Sequence, residues 1–143
     1  MRKAAGFIVF MLSGGAPRFL LLRNARHGTW SVPKGHLHDD ETALPGAWRE
    51  LREETGIQQL KIWPGFEEVL RYSVPAGKRK ADAPAYEKEL RLFLGEAANA
   101  LWTRSSEHDA GDWMSLDDCL ARVQHEVLRD GLRRAAARIA TGV

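Results

Sequence analysis

Four apolar residues in a row, Phe7-Ile8-Val9-Phe10, follow a short stretch of small residues, and a second run, Phe19-Leu20-Leu21-Leu22, begins shortly after Gly14-Gly15. Apolar runs of this length, rich in aromatic and branched residues and without polar alternation, are the pattern of strands covered on both faces. The pattern predicts strands near 4–12 and 18–24, with Gly14-Gly15 as the hairpin turn between them, and then a loop holding Gly28 and Pro33. From residue 43 the period changes. Leu44, Ala47, Trp48 and Leu51 recur at spacings of three and four, which predicts a helix over 43–55 that packs this stripe on the sheet. Pro45 is tolerated in its first turn, and Gly56 is the residue type that closes a helix in the left-handed conformation. A long extended region over about 58–74, a Pro/Gly/Lys loop, a strand near 87–96, a short strand around Trp113 and a final helix near 116–140 complete the chain. Strands and helices alternate irregularly, with no internal repeat and no linker. The expectation is one α/β domain over 1–143, with a mixed sheet between helices.

The amino terminus has a second reading. Arg2-Lys3, an apolar run and then Ser13-Gly14-Gly15-Ala16 imitate a secretory signal. The strand is preferred, because nothing later in the chain replaces a central strand if this one is removed.

Composition narrows the partners. The net charge of +2, from 21 basic and 19 acidic residues, is too balanced for duplex DNA, where many phosphates must be met at once. One local basic patch, Lys78-Arg79-Lys80, lies between Pro75 and Pro84 and reads either as a contact for a phosphate chain or as a solvated turn. The single cysteine, Cys119, excludes an internal disulfide and fits a reducing compartment, so a cytoplasmic protein is expected. In its helical context Cys119 reads as a buried, inert thiol. No apolar run approaches membrane-spanning length.

The helix over 43–55 also carries Glu50, Glu53 and Glu54 beside Arg49. Residues three and four apart are neighbours on a helix, so these like charges work against local stability. They make sense as oxygen ligands for a hard divalent cation, Mg²⁺ or Mn²⁺, shared with phosphate. Arg49 would orient one carboxylate through a two-pronged hydrogen bond. A solvated Glu/Arg face is the competing reading, and spacing alone does not decide between them.

The longer pattern does more. Gly35, five residues, Glu41, seven residues, Arg49-Glu50-Leu51, one residue, Glu53-Glu54, one residue, Gly56-Ile57 resembles the signature of the Nudix hydrolases, with each of its nine fixed positions filled. The resemblance implies an α/β/α sandwich and cleavage of nucleoside diphosphates linked to another group. Carried over position by position, it makes Glu50, Glu53, Glu54 and the Gly35 carbonyl metal ligands, with Glu53 and Arg49 in the catalytic set and Glu41 and Arg49 as supports. Mg²⁺ or Mn²⁺ would then activate the attacking water.

A finer resemblance, to the asymmetrical diadenosine tetraphosphate hydrolases, rests on four places. These are Trp30 with Pro33-Lys34-Gly35-His36, Gly65-Phe66 followed by Tyr72, Lys88 entering a strand that ends Phe93-Leu94, and Ser106-Glu107-His108 followed by Trp113. It implies Glu107 as catalytic base, ahead of Glu87, Glu89 and Glu96. It also implies Lys34, His36, Tyr72 and Lys88 as ligands of the substrate. Each of the last three has a plainer reading: His36 as a loop cap, Lys88 as an edge-strand charge, Tyr72 as core. The loop from Pro75 to Tyr86 is longer than the resemblance leads one to expect, and it sits where a substrate would enter. Trp30, Tyr86, Trp102 and Trp113 are all candidates to stack on a base. The expected substrate is a small nucleotide, first a dinucleoside polyphosphate. An oxidised nucleoside triphosphate, a nucleotide sugar, an inositol pyrophosphate or an RNA 5′ end is the alternative, and a catalytically silent binding domain is the third reading. Oligomeric state is not set by the sequence.

Overall fold

A computed structural model describes residues 1–78 and 80–142. Its centre is β1 (Arg2–Ser13), which pairs antiparallel with β2 (Ala16–Asn24) and β4 (Lys34–His36) and parallel with β6 (Tyr86–Glu96). β3 (Trp30–Ser31) and β7 (His108–Met114) both pair with β2, and β5 (Lys61–Val74) pairs antiparallel with β6. The result is a mixed sheet. α1 (Ala43–Thr55) covers one face, while α2 (Leu116–Arg122) and α3 (Glu126–Thr141) cover the other, giving the α/β/α sandwich that the resemblance implied.

The unbroken apolar runs follow from this double cover. On β1, Phe7 and Val9 point to the α1 side and meet Leu20, Leu22, Leu51 and Phe93, while Ile8 and Phe10 point the other way to Phe19, Leu21, Leu92 and Leu132. With a side-chain period of two, a strand buried on both faces has no position left for a polar residue. Full burial of each such side chain is worth about 1.5–3 kcal/mol. The hairpin turn is as expected, with Gly14 and Gly15 both at positive φ, 60° and 82°. β1 is paired on both sides, as the strand reading of residues 4–12 requires.

Three differences from the pattern matter for function. First, residues 30–36 are two short strands rather than loop. Pro33, with no N–H to give, separates them, and its carbonyl instead accepts the Phe7 N–H at 3.1 Å. That approach needs Gly6, where a Cβ would lie 2.3 Å from the Pro33 oxygen. Second, the final helix breaks at Val123–His125. Cys119 and Leu128 both face the core, yet in one continuous helix they would lie about 180° apart, so the break restores the phase. Third, the buried stripe of α1 is rotated from the predicted one. Leu44 is 37% exposed, while Ala47, Leu51, Glu54 and Thr55 are buried. One glutamate of the acidic group therefore lies on the inward side of the helix. The helix closes at Gly56 (φ 74°), as predicted, with its N–H on the Arg52 carbonyl.

Of the basic patch, Lys78 and Lys80 are exposed, and Arg79 lies outside the described residues. Burial pushes the Cys119 thiol up to about 12, in keeping with an inert core cysteine. No helix among the described residues is long and apolar enough to cross a membrane.

Candidate active site

Arg49 organises the outer part of the site. Its Nε and one terminal nitrogen meet both oxygens of Glu41, at 2.7 and 2.8 Å, in the fork geometry that guanidinium and carboxylate share. The other terminal nitrogen donates to Glu50 at 2.9 Å and to Glu53 at 3.1 Å. The His36 carbonyl accepts a further bond at 3.0 Å, so one side chain ties the end of β4 and the following loop to α1. The Glu41 carboxyl is held down to about 2, chiefly by the hydrogen bonds from Arg49, and it also accepts the His38 N–H.

Farther in, Glu50 and Glu54 face each other. Glu54 is only 4% exposed, and burial, with the hydrogen bond and charge of Glu50 behind it, pushes its carboxyl up to about 9. Gly35 lies directly against Glu50: a Cβ built there would meet the Glu50 carboxyl carbon at 2.1 Å. Glu53 is the exposed member, reaching Arg49. His108 brings its Nε2 to 3.6 Å from Glu54. Among the described residues no three acidic or imidazole groups are already gathered about one point, Glu50 and Glu53 being drawn to Arg49. The donor set still fits a hard cation. It combines carboxylates with a strand backbone whose missing Cβ leaves room beside them, and an inward acid whose ionisation is opposed by burial and by the neighbouring Glu50.

Positive charge does stand nearby, on Lys34. The Lys34 ammonium is deeply placed although the residue as a whole is half-buried; burial lowers its pKa first, and Glu54 and Glu50 oppose that. It also stands close enough to Lys88 to act on it: burial, and then the charge of Lys34, push the Lys88 pKa down to about 7. Lys88 sits on β6, between β1 and β5, and is 8% exposed, so the edge-charge reading is wrong. Both lysines line a cavity of about 500 Å³ together with Trp30, His36, Tyr72 and Tyr86. Tyr72 is neither pure core nor free: its ring lies 4.1 Å from that of His125, and burial pushes its hydroxyl up to about 12.

The structure thus sets Glu50 against Gly35 and Glu54, and ties Glu50 and Glu53 to Arg49, while Lys34, His36, Tyr72 and Lys88 line one cavity. Glu107 is exposed in the turn before β7, its carbonyl accepting the Ala25 N–H, and its neighbour His108 is the residue that touches Glu54. Among the alternatives to Glu107, Glu89 is buried against Arg71 and Arg91, Glu87 accepts from the Ser73 hydroxyl, and Glu96 accepts from Trp63 at the opposite end of β6. Of the aromatic candidates, Trp30 and Tyr86 line the cavity, whereas Trp102 and Trp113 pack against the α1-side core. Asn24, His27 and His125 also line the cavity, and no motif in the sequence points to them. His125 owes its place to the helix break, which carries no strong signal in the sequence.

The profile of the NUDIX domain matches residues 2–135. The asymmetrical bis(5′-nucleosyl)-tetraphosphatase of Rattus norvegicus is 33% identical, over 92% of this chain and 90% of that protein. An RNA pyrophosphohydrolase of Bartonella tribocorum is 35% identical over 52% of this chain and 46% of its own length. Among solved structures, the binary complex of the C. elegans Ap4A hydrolase superposes with a TM-score of 0.85 at 27% identity, covering 99% of each chain.

Proposed function

The chain belongs to the Nudix family of hydrolases, and on that premise we propose that it cleaves dinucleoside polyphosphates, taking diadenosine tetraphosphate to ATP and AMP. The observation that carries this reading is the continuity of the inward acids with two buried lysines, since the Lys34 ammonium feels both Glu50 and Glu54 on one side and Lys88 on the other. A site arranged in this way suits a ligand that carries several phosphates rather than one. The curated relatives named for this activity and the structural match support the same substrate class.

Nudix hydrolases generally use divalent metal ions. Glu50, Glu53, Glu54 and the Gly35 carbonyl would hold Mg²⁺ or Mn²⁺, which offsets phosphate charge and makes bound water more acidic. The remaining work falls to the chain itself. Arg49 keeps Glu50 and Glu53 oriented and is itself locked by Glu41. Lys34 and Lys88 bind phosphate oxygens from inside the cavity, and an anion there favours the charged form of each against the effect of burial. His36 and Tyr72 flank the phosphate chain. Glu107 accepts the proton of the attacking water, placing the base on the turn that also carries His108 to Glu54. With positions fixed by these contacts, phosphoryl transfer requires little more than alignment and charge stabilisation. The buried, unpaired thiol of Cys119 suits a reducing setting such as the cytoplasm.

Purified protein with Mg²⁺ is to be given diadenosine tetraphosphate, an oxidised deoxyguanosine triphosphate, ADP-ribose and an inositol pyrophosphate, with products separated by chromatography. ATP plus AMP should form faster than any other product, and Glu54→Gln should abolish turnover with the fold retained. Preference for another member of the panel would refute the substrate, and an active Glu54→Gln would refute the metal-site assignment.

A further inference from the structure

Regular strand alternation would turn His108 away from α1. On β7, Trp113 packs on the α1 side, and a Cβ at Gly111 would strike Trp102 on that same side at 2.4 Å, whereas Met114 belongs to the opposite core. A period of two then assigns His108 to the face of Met114. The ladder with β2 breaks the alternation: Arg23 pairs with Ala110 and Asn24 with His108, so Asp109 is an extra residue, a bulge. It is pinned from two sides, its carboxylate by the Arg23 Nε at 2.6 Å and its carbonyl by a terminal nitrogen of Arg104 at 2.7 Å. The bulge resets the phase, and His108 meets Glu54 of α1.

The ring is fixed at its other edge. Ser105 Oγ lies 3.1 Å from His108 Nδ1, and the Ser105 carbonyl accepts the His108 N–H at 3.3 Å, so one turn holds the residue by side chain and by backbone. His108 Nε2 is 3.6 Å from a Glu54 oxygen, a gap that a small rotation of either side chain closes to a hydrogen bond. Both side chains are shielded, at 11% and 4% exposure, so water does little to orient the carboxylate. An imidazole with one proton offers a donor at one nitrogen and a lone pair at the other, and the hydrogen bond made at one edge sets what the other edge presents. A hydroxyl that donates to Nδ1 leaves the proton on Nε2, toward Glu54. The reverse arrangement would turn a lone pair on the carboxylate, which must be ionised to hold a cation.

We propose that Ser105 is a positioning residue for the acidic site: its hydroxyl fixes the tautomer of His108, and the Nε2–H so presented holds the Glu54 carboxylate in place beside Glu50 for a divalent cation. The inference rests on the metal-site reading above, and the test separates the two. Nitrogen NMR of protein labelled with ¹⁵N-histidine, in Mg²⁺ at pH 8, reads the tautomer directly, the His108 signals being identified by their loss in His108→Phe. Wild type should show a protonated Nε2 and an unprotonated Nδ1, Ser105→Ala a mixture of tautomers, and Ser105→Thr, which keeps the hydroxyl, the wild-type pattern. Hydrogen-bond partners of metal ligands are worth about 10–100-fold in affinity. The Kd for Mn²⁺, read by electron paramagnetic resonance, should therefore rise about tenfold in His108→Phe and about threefold or more in Ser105→Ala, with Ser105→Thr restoring it. A wild-type ring protonated at Nδ1, a tautomer unchanged in Ser105→Ala, or an unchanged Mn²⁺ affinity in that variant would overturn the role of Ser105. Failure of wild type to bind Mn²⁺ would instead refute the metal-site reading, and the NMR would still decide whether Ser105 governs His108.

Discussion

Replacing Gly35 with alanine separates the chemistry of the site from its architecture. A Cβ at this position would lie 2.1 Å from the carboxyl carbon of Glu50 and 2.2 and 2.3 Å from its oxygens, far inside van der Waals contact. The backbone there is an ordinary strand paired with Ala5, and Gly35 is not among the glycines at positive φ, so the added methyl brings no backbone strain. What has to yield is the flexible end of Glu50, by about 1 Å, and misplacing a reacting group by this much costs about 10²-fold in rate. Stability should change by only about 1 kcal/mol, because the clash is relieved by rotation of one side chain. The assay is kcat/KM for diadenosine tetraphosphate at saturating Mg²⁺, beside urea unfolding of the same preparations. A folded Gly35→Ala protein with wild-type kcat/KM would refute the claim that Glu50 must rest against the strand. An unfolded one would show that the glycine serves packing and not the site.

Gly6→Ala should behave in the opposite way, since its Cβ would meet the Pro33 carbonyl at 2.3 Å and the Lys34 backbone at 2.9 Å, neither of which can rotate aside. A loss of about 1–3 kcal/mol or more is expected in urea unfolding, and an unchanged midpoint would contradict the tight crossing of β1 and β4. For Glu41, a folded pKa of about 2 against an ordinary 4.5 means that its stabilisation is complete above pH 4.5 and is lost as pH falls toward 2. Allowing for solvent screening, wild type should exceed Glu41→Gln by on the order of 1–2 kcal/mol at pH 7, and the gap should close on acidification. A gap that stays constant from pH 7 to pH 3 would argue against the Arg49 pairing as its source. Glu107→Gln should lower kcat by about 10²-fold or more with KM little changed, and an unaltered kcat would pass the role of base to another group.

Much of this molecule is legible in the order of its residues. Uninterrupted apolar runs require a strand covered on both faces, and β1 and β2 are such strands. The bounds of α1 follow from its period and from Gly56, since only glycine takes the left-handed closing conformation without strain. The site is legible differently, through a spaced pattern of residue types whose reason lies in chemistry rather than in packing. The lengths of the strands within residues 30–36 and the break at Val123–His125 are not visible in the same way, because both depend on partners distant in sequence: β1 and β2 for the short strands, and the core face of the sheet for the helices.

That three glutamates and an arginine share one helix follows from residue order, because a helical period is a local property. How they divide is a matter of packing across the whole fold: Glu54 is turned inward to 4% exposure, Glu53 is left in solvent, and Glu50 is pressed against Gly35. The same packing puts Lys34 and Lys88, far apart along the chain, in one buried pocket. Charge is costly only where water is excluded, and water is excluded by the assembled sheet and helices together, never by one segment of chain.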